Sequence, residues 1–135
     1  MSLSDEERSI VVGLEVEKAY VAYNETIWLM EKNSWSGAAG RLYYALFHIV
    51  SALLIHDRHP VNSHKGSHIL FGNYYIRTGK LPKEYGTLYS QMESIREEGE
   101  YNCTYKVTQE ELEQKLAPSK AMLDTIAAMV QEECK

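Results

Sequence analysis

Arg41 and His48 stand in the most apolar stretch of this 135-residue chain, with six residues between them. An arginine offers a planar fork of donors that matches a phosphate. A histidine exchanges a proton near neutral pH. Together the two residues could cleave a phosphodiester: the histidine moves a proton while the arginine offsets the charge gathering on phosphorus. On a helical wheel His48 falls about 20° from Arg41, two turns along. Gly37, Ala45 and Ala52 lie close to the same line and Tyr44 flanks it. Leu42, Leu46, Ile49 and Leu53 form a second stripe about 100° round. A helix apolar nearly all round is buried as a rule, and a buried arginine stripped of its partner costs about 3–5 kcal/mol. Arg41 must therefore meet a carboxylate, a wet cleft or an anionic ligand. Two readings follow. In one, an internal Arg–Glu pair fixes helix register and His48 bonds a backbone carbonyl. In the other, Arg41 and His48 form a site at a cleft or interface.

Further candidates lie downstream. His56, His59, His64 and His68 crowd one region, and His64 and His68 have the i, i+4 spacing that can hold zinc. No cysteine lies near them, so a polar loop is the simpler reading, with His64 and Lys65 adding positive charge near the Arg41 line. Arg96 and Glu100 are one turn apart and suit a surface ion pair; alternatively Glu100 or Tyr101 reaches Arg41 or His48 and orients it.

The elements that must position these residues are helices. Ser4-Asp5-Glu6-Glu7 reads as a capping box, and Val12, Val16, Ala19, Tyr20, Tyr23, Ile27 and Met30 follow at helical spacing to about Lys32-Asn33. A second helix runs from Trp35 or Ser36 to Ile55 or His56, stopped before Pro60. Residues 61–67 read as a loop, 67–77 as a short helix with Gly79 at its C-cap, and 82–98 as a helix opened by Pro82. Residues 99–107 read as a connector. The last helix starts at Thr108 with Glu111 completing a second capping box, and Pro118 predicts a kink or a split within it. Glu132 and Glu133 read as a solvated helix end. No segment alternates with period two for long. The expectation is one all-α domain over residues 1–135, a bundle of about five helices.

The formal net charge of −5 argues against a protein that coats long nucleic acid through a basic face, while leaving room for a small phosphate site. Ten tyrosines against two phenylalanines suit half-wet surfaces such as clefts and interfaces. No apolar run approaches the roughly 20 residues of a membrane span, and the polar start is unlike a signal peptide. Cys103 and Cys134 form no redox or metal motif, so a cytoplasmic setting is expected.

The run Ala38-Ala39-Gly40-Arg41-Leu42-Tyr43-Tyr44-Ala45-Leu46-Phe47-His48 resembles the A-x-R-x-Y-Y-A-x-F-H segment of HEPN domains. Ser63-His64-Lys65-Gly66 is similar to that family's x-H-K-G loop. Phe71, Gly79 and the segment from Arg96 to Tyr101 fit its F…G…R-x-x-x-D-Y pattern, with Glu100 in place of the usual aspartate. The resemblance covers about residues 15–129. It implies an up-and-down helical bundle, often a homodimer. In many members an arginine and a histidine four to six residues apart form a ribonuclease site, facing its twin across the dimer; Arg41 and His48 have the longest such spacing. Tyr44, His64, Lys65, Arg96, Glu100 and Tyr101 are then the supporting or binding residues, with no metal and no cofactor. Other members bind nucleotide or RNA without cleaving it, or pair with a nucleotidyltransferase as toxin and antitoxin. Two positions depart from the nuclease pattern: Leu42 where a polar residue often follows the arginine, and Phe47 where some toxins carry tyrosine. A dimeric bundle whose Arg41 is satisfied internally is the purely structural alternative.

Overall fold

A computed structural model describes residues 3–59 and 63–131. The described residues form five α-helices and no strand: α1 (Asp5–Glu31), α2 (Trp35–His56), α3 (His64–Phe71), α4 (Lys83–Tyr101) and α5 (Gln109–Gln131). A π-helical turn, Gly72–Ile76, continues α3.

The capping signals in the sequence are made. The Glu7 amide donates to Ser4 Oγ at 3.1 Å and the Ser4 amide to Glu7 Oε1 at 2.8 Å. At α5 the Glu111 amide donates to Thr108 Oγ1 and the Thr108 amide to Glu111 Oε1. Each pair satisfies donors that the first helical turn leaves open. α1 turns back into α2 through a short link in which Asn33 takes a left-handed φ of 61°, a conformation asparagine tolerates.

α2 is the centre of the bundle and touches α1, α3, α4 and α5. Leu42, Tyr43, Ala45, Leu46, Ile49, Val50 and Ala52 are wholly buried. α2 is long and apolar enough to cross a membrane by composition, but 72% of that window is buried inside the bundle; its apolarity serves the core. Packing of Val12, Val16, Ala19, Ala22 and Tyr23 from α1, and of Leu112, Met122, Leu123 and Ile126 from α5, completes that core.

Several boundaries differ from expectation. α3 starts at His64, three residues early, because Ser63 Oγ accepts from the Gly66 amide at 2.9 Å and caps it. α4 runs on through Gly99 to Tyr101. Gly99 is there for contact: a Cβ would come within 2.8 Å of Val107 Cγ2. α5 is continuous through Pro118, which lies on the exposed side where water can satisfy the carbonyl it leaves free. Ile27 faces outward, and Thr26 takes the buried place with its hydroxyl donating to Ala22 O at 2.9 Å. Pro60, Val61, Glu132, Glu133 and Cys134 lie outside the described residues.

Candidate functional site

Arg41 is not buried: its side chain is 39% exposed. The small residues of its line, Ala45 and Ala52, are buried; the arginine itself lies at the edge of the α1–α2 contact. There Nε and Nη2 both bond Glu25 Oε1 at 2.9 Å. The carboxylate is itself half exposed, so this pair contributes no more than about 1 kcal/mol and can be exchanged for another anion at little cost. Arg41, Glu25, Trp28 and Leu29 line an open cavity of about 380 Å³.

His48 is more enclosed. Its Nδ1 meets Glu15 Oε1 at 2.6 Å, with both side chains about one-fifth to one-quarter exposed. The expected backbone carbonyl is replaced by a carboxylate. A carboxylate there can only accept, so in the neutral imidazole it holds the proton on Nδ1 and leaves the Nε2 lone pair free. That is the arrangement a general base needs.

Tyr44 links the two. Its ring lies 5.6 Å from the Arg41 guanidinium and 5.8 Å from that of Arg96. Its centroid is 6.4 Å from the His48 ring and 5.8 Å from the His64 ring. Two cations and two imidazoles, drawn from α2, α3 and α4, therefore surround one half-buried tyrosine. Arg96 is 13% exposed, sits 4.8 Å over Tyr43 and pairs with Glu100 at 3.2 Å. His64 stacks on Phe47 at 4.1 Å and its Nδ1 meets the Tyr43 hydroxyl at 2.8 Å. Burial lowers the His64 pKa, and the charges of Arg96 and His48 lower it further against the pull of Glu93. Deeper in the same wall, His68 stacks on Tyr89 at 3.8 Å, and Tyr89 bonds Ser67 at 2.9 Å.

The fold thus brings together Arg41, Tyr44, His48, His64, Arg96 and Glu100. Glu100 meets Arg96 and not Arg41 or His48, because its own helix offers the arginine one turn away. Tyr101 is 79% exposed at the end of α4, and Lys65 is exposed on α3; neither makes a described contact with Arg41 or His48. Among the described residues no group of three or more His, Cys, Asp or Glu is placed to hold a metal ion. Sequence reasoning missed Glu15 and Glu25. A signal existed: Glu25 and Arg41 lie at equal distances before and after the turn residue Asn33, where an antiparallel hairpin places partners side by side.

Comparison with known proteins places the chain in a family. The model of the HEPN domain family matches residues 16–129. The chain is 30% identical over 104 residues to a UPF0332 protein of Thermotoga maritima, covering 77% of this chain and 79% of that one. It is also 30% identical over 104 residues to a protein of Methanocaldococcus jannaschii named "Putative toxin", covering 77% of each. A second protein of that organism with the same description is 27% identical over 98 residues, 73% of this chain and 67% of the relative.

Proposed function

This chain belongs to the HEPN domain family, and from that premise we propose that it is a cytoplasmic, toxin-like ribonuclease that works without a metal ion as a homodimer. The observation that carries this reading is the ring of Arg41, Arg96, His48 and His64 about Tyr44. The toxin names of two relatives support the physiological setting.

In the reaction, His48 Nε2 takes the proton of a ribose 2′-hydroxyl, and Glu15 holds the imidazolium that forms. The 2′-oxygen bonds to phosphorus and the bond from phosphorus to the 5′-oxygen breaks. The leaving oxygen collects the proton from His48 or from water. The products are a 2′,3′-cyclic phosphate and a 5′-hydroxyl. Arg41 leaves Glu25 for the phosphate, and Arg96 adds positive charge across Tyr44. Proton transfer and charge stabilisation account for every step, so the scheme calls on no metal.

The homodimer is supported by α1. Ile10, Leu14, Val21 and Trp28 are each at least half exposed along one face of it, beside Glu25. A second copy seated there covers apolar surface and closes over the Arg41 cavity. One competing reading has an observation of its own. Arg41 and His48 are each already held by a glutamate in an acidic chain, which suits a non-catalytic module that binds nucleotide or pairs with a nucleotidyltransferase.

The test is the chemistry of the ends. Cleavage products should carry 2′,3′-cyclic phosphates by mass spectrometry, and a single 2′-deoxy substitution at the cut position should abolish the cut. Products with 3′-hydroxyl ends, or cleavage of the deoxy substrate, contradict the mechanism.

A further inference from the structure

Resting on the ribonuclease reading, we propose that His64 is a further catalytic residue of this site, a neutral imidazole that donates its Nε2–H to a phosphate oxygen of the bound RNA.

The argument starts from the hydrogen bond between Tyr43 and His64, 2.8 Å long. The bond can run either way. A phenol is a good donor and a poor acceptor, whereas an unprotonated imidazole nitrogen is a good acceptor. Tyr43 is wholly buried and burial pushes its pKa up to about 12, so it keeps its proton. The Tyr43 hydroxyl therefore donates to His64 Nδ1, and the imidazole proton must sit on Nε2. The ring cannot easily turn, since it stacks on Phe47 at 4.1 Å and meets Tyr44 edge-on. Tyr43 is held in turn by stacking with Tyr89 at 5.9 Å.

Nδ1 is thus committed to the interior, and Nε2 is neither buried without a partner nor engaged by any described residue. The ring itself is partly exposed. Where it reaches the surface its neighbours are Tyr44, Phe47 and, across Phe47, His48 at 5.4 Å from that ring. The two histidines then carry opposite tautomers. His48 has its proton on Nδ1 and presents a lone pair; His64 has its proton on Nε2 and presents a donor. One can accept the 2′-hydroxyl proton while the other bonds an oxygen on the same phosphate. His64 keeps its proton throughout, so the proton balance of the reaction is unchanged. A neutral donor also spares the site a third cation, which would repel Arg96 and Arg41.

The test uses the full-length protein labelled with ¹⁵N and a 2′-O-methyl tetranucleotide, which can bind but cannot be cleaved. Imidazole ¹H–¹⁵N correlation spectra at pH 7.5 should show His64 as the Nε2–H tautomer. The tetranucleotide should shift that proton. His64→Ala should weaken binding about tenfold, the loss of one hydrogen bond to a charged oxygen. His64→Gln, whose amide nitrogen reaches the place of Nε2, should bind within about threefold of wild type, the size of a minor geometric change. Tyr43→Phe should remove the tautomer preference. An Nδ1–H tautomer, an unmoved His64 signal, or wild-type binding by a folded His64→Ala overturns the proposal. The shift with no RNA cleavage by wild type leaves His64 as a phosphate-binding donor and removes only the nuclease reading. Cleavage with His64 unmoved does the reverse.

Discussion

α2 carries polar groups on two flanks, and the fold treats them differently. Towards α1, Arg41 and His48 meet Glu25 and Glu15 at a partly exposed edge. Towards α3 and α4, Tyr43 and its neighbours His64, His68, Tyr89 and Arg96 form a stacked wall, mostly buried. The Arg41–Glu25 pair on the first flank is half exposed and weakly held, so the arginine can change partner. Groups on the second flank are locked by packing and set the direction of each hydrogen bond. The loose flank holds the exchangeable ion pair and the tight one the fixed rings, and Tyr44, between them, is where the two meet.

The contrast can be broken most forcefully on the tight side. Tyr89→Ala removes a ring only 1% exposed, with its stacking partners His68 and Tyr43. It should cost about 3–5 kcal/mol in urea unfolding, whereas Arg41→Ala should cost less than about 1 kcal/mol. Equal losses would erase the distinction between flanks. On the loose side, Glu15→Ala should leave stability nearly unchanged. It should lower the cleavage rate about 10²-fold through misorientation of His48, with Glu15→Gln, still an acceptor, in between.

Acid separates the flanks next. Burial holds the His68 pKa below its ordinary value of 6.5, with His64 adding to the effect and Glu93 and Glu97 opposing it; His64 is lowered as well, again chiefly by burial. Both are depressed in the folded state, so below pH 6.5 the unfolded chain takes up protons that the folded one refuses. Stability should fall as pH drops from about 6.5 towards the folded-state values. Equilibrium unfolding of wild type and His64→Gln between pH 7.5 and 5 checks this, and a flat profile would sink it. The smallest effect lies outside both flanks: Ser4→Ala removes the α1 cap and should cost about 1 kcal/mol with no change in cleavage.

Much of this arrangement was legible in the sequence. Helical spacing, two capping boxes and the Arg41–His48 line are local signals, and local signals gave the helices, the apolar second helix and the order of elements. What local signals could not supply was depth. The wheel of α2 implied a buried Arg41, yet the arginine lies at the edge where α1 passes beside it. Arg96–Glu100 could be read as a pair one turn apart, but Arg96's place over Tyr43 depends on how α4 crosses α2. The partners Glu15 and Glu25 depend on the α1–α2 register. Gly99 looked like a helix stop because glycine serves both as a breaker and as a point of close contact; only Val107 across from it decides which.

The central claim is that Arg41 and His48 cut RNA without metal help. Purified protein incubated with a mixed RNA pool in EDTA, beside Arg41→Ala and His48→Ala variants of unchanged Tm, tests it directly. Wild type should cleave, and each substitution should lower the rate by about 10²–10⁴-fold. Absence of cleavage by wild type, or cleavage that survives both substitutions, would contradict it.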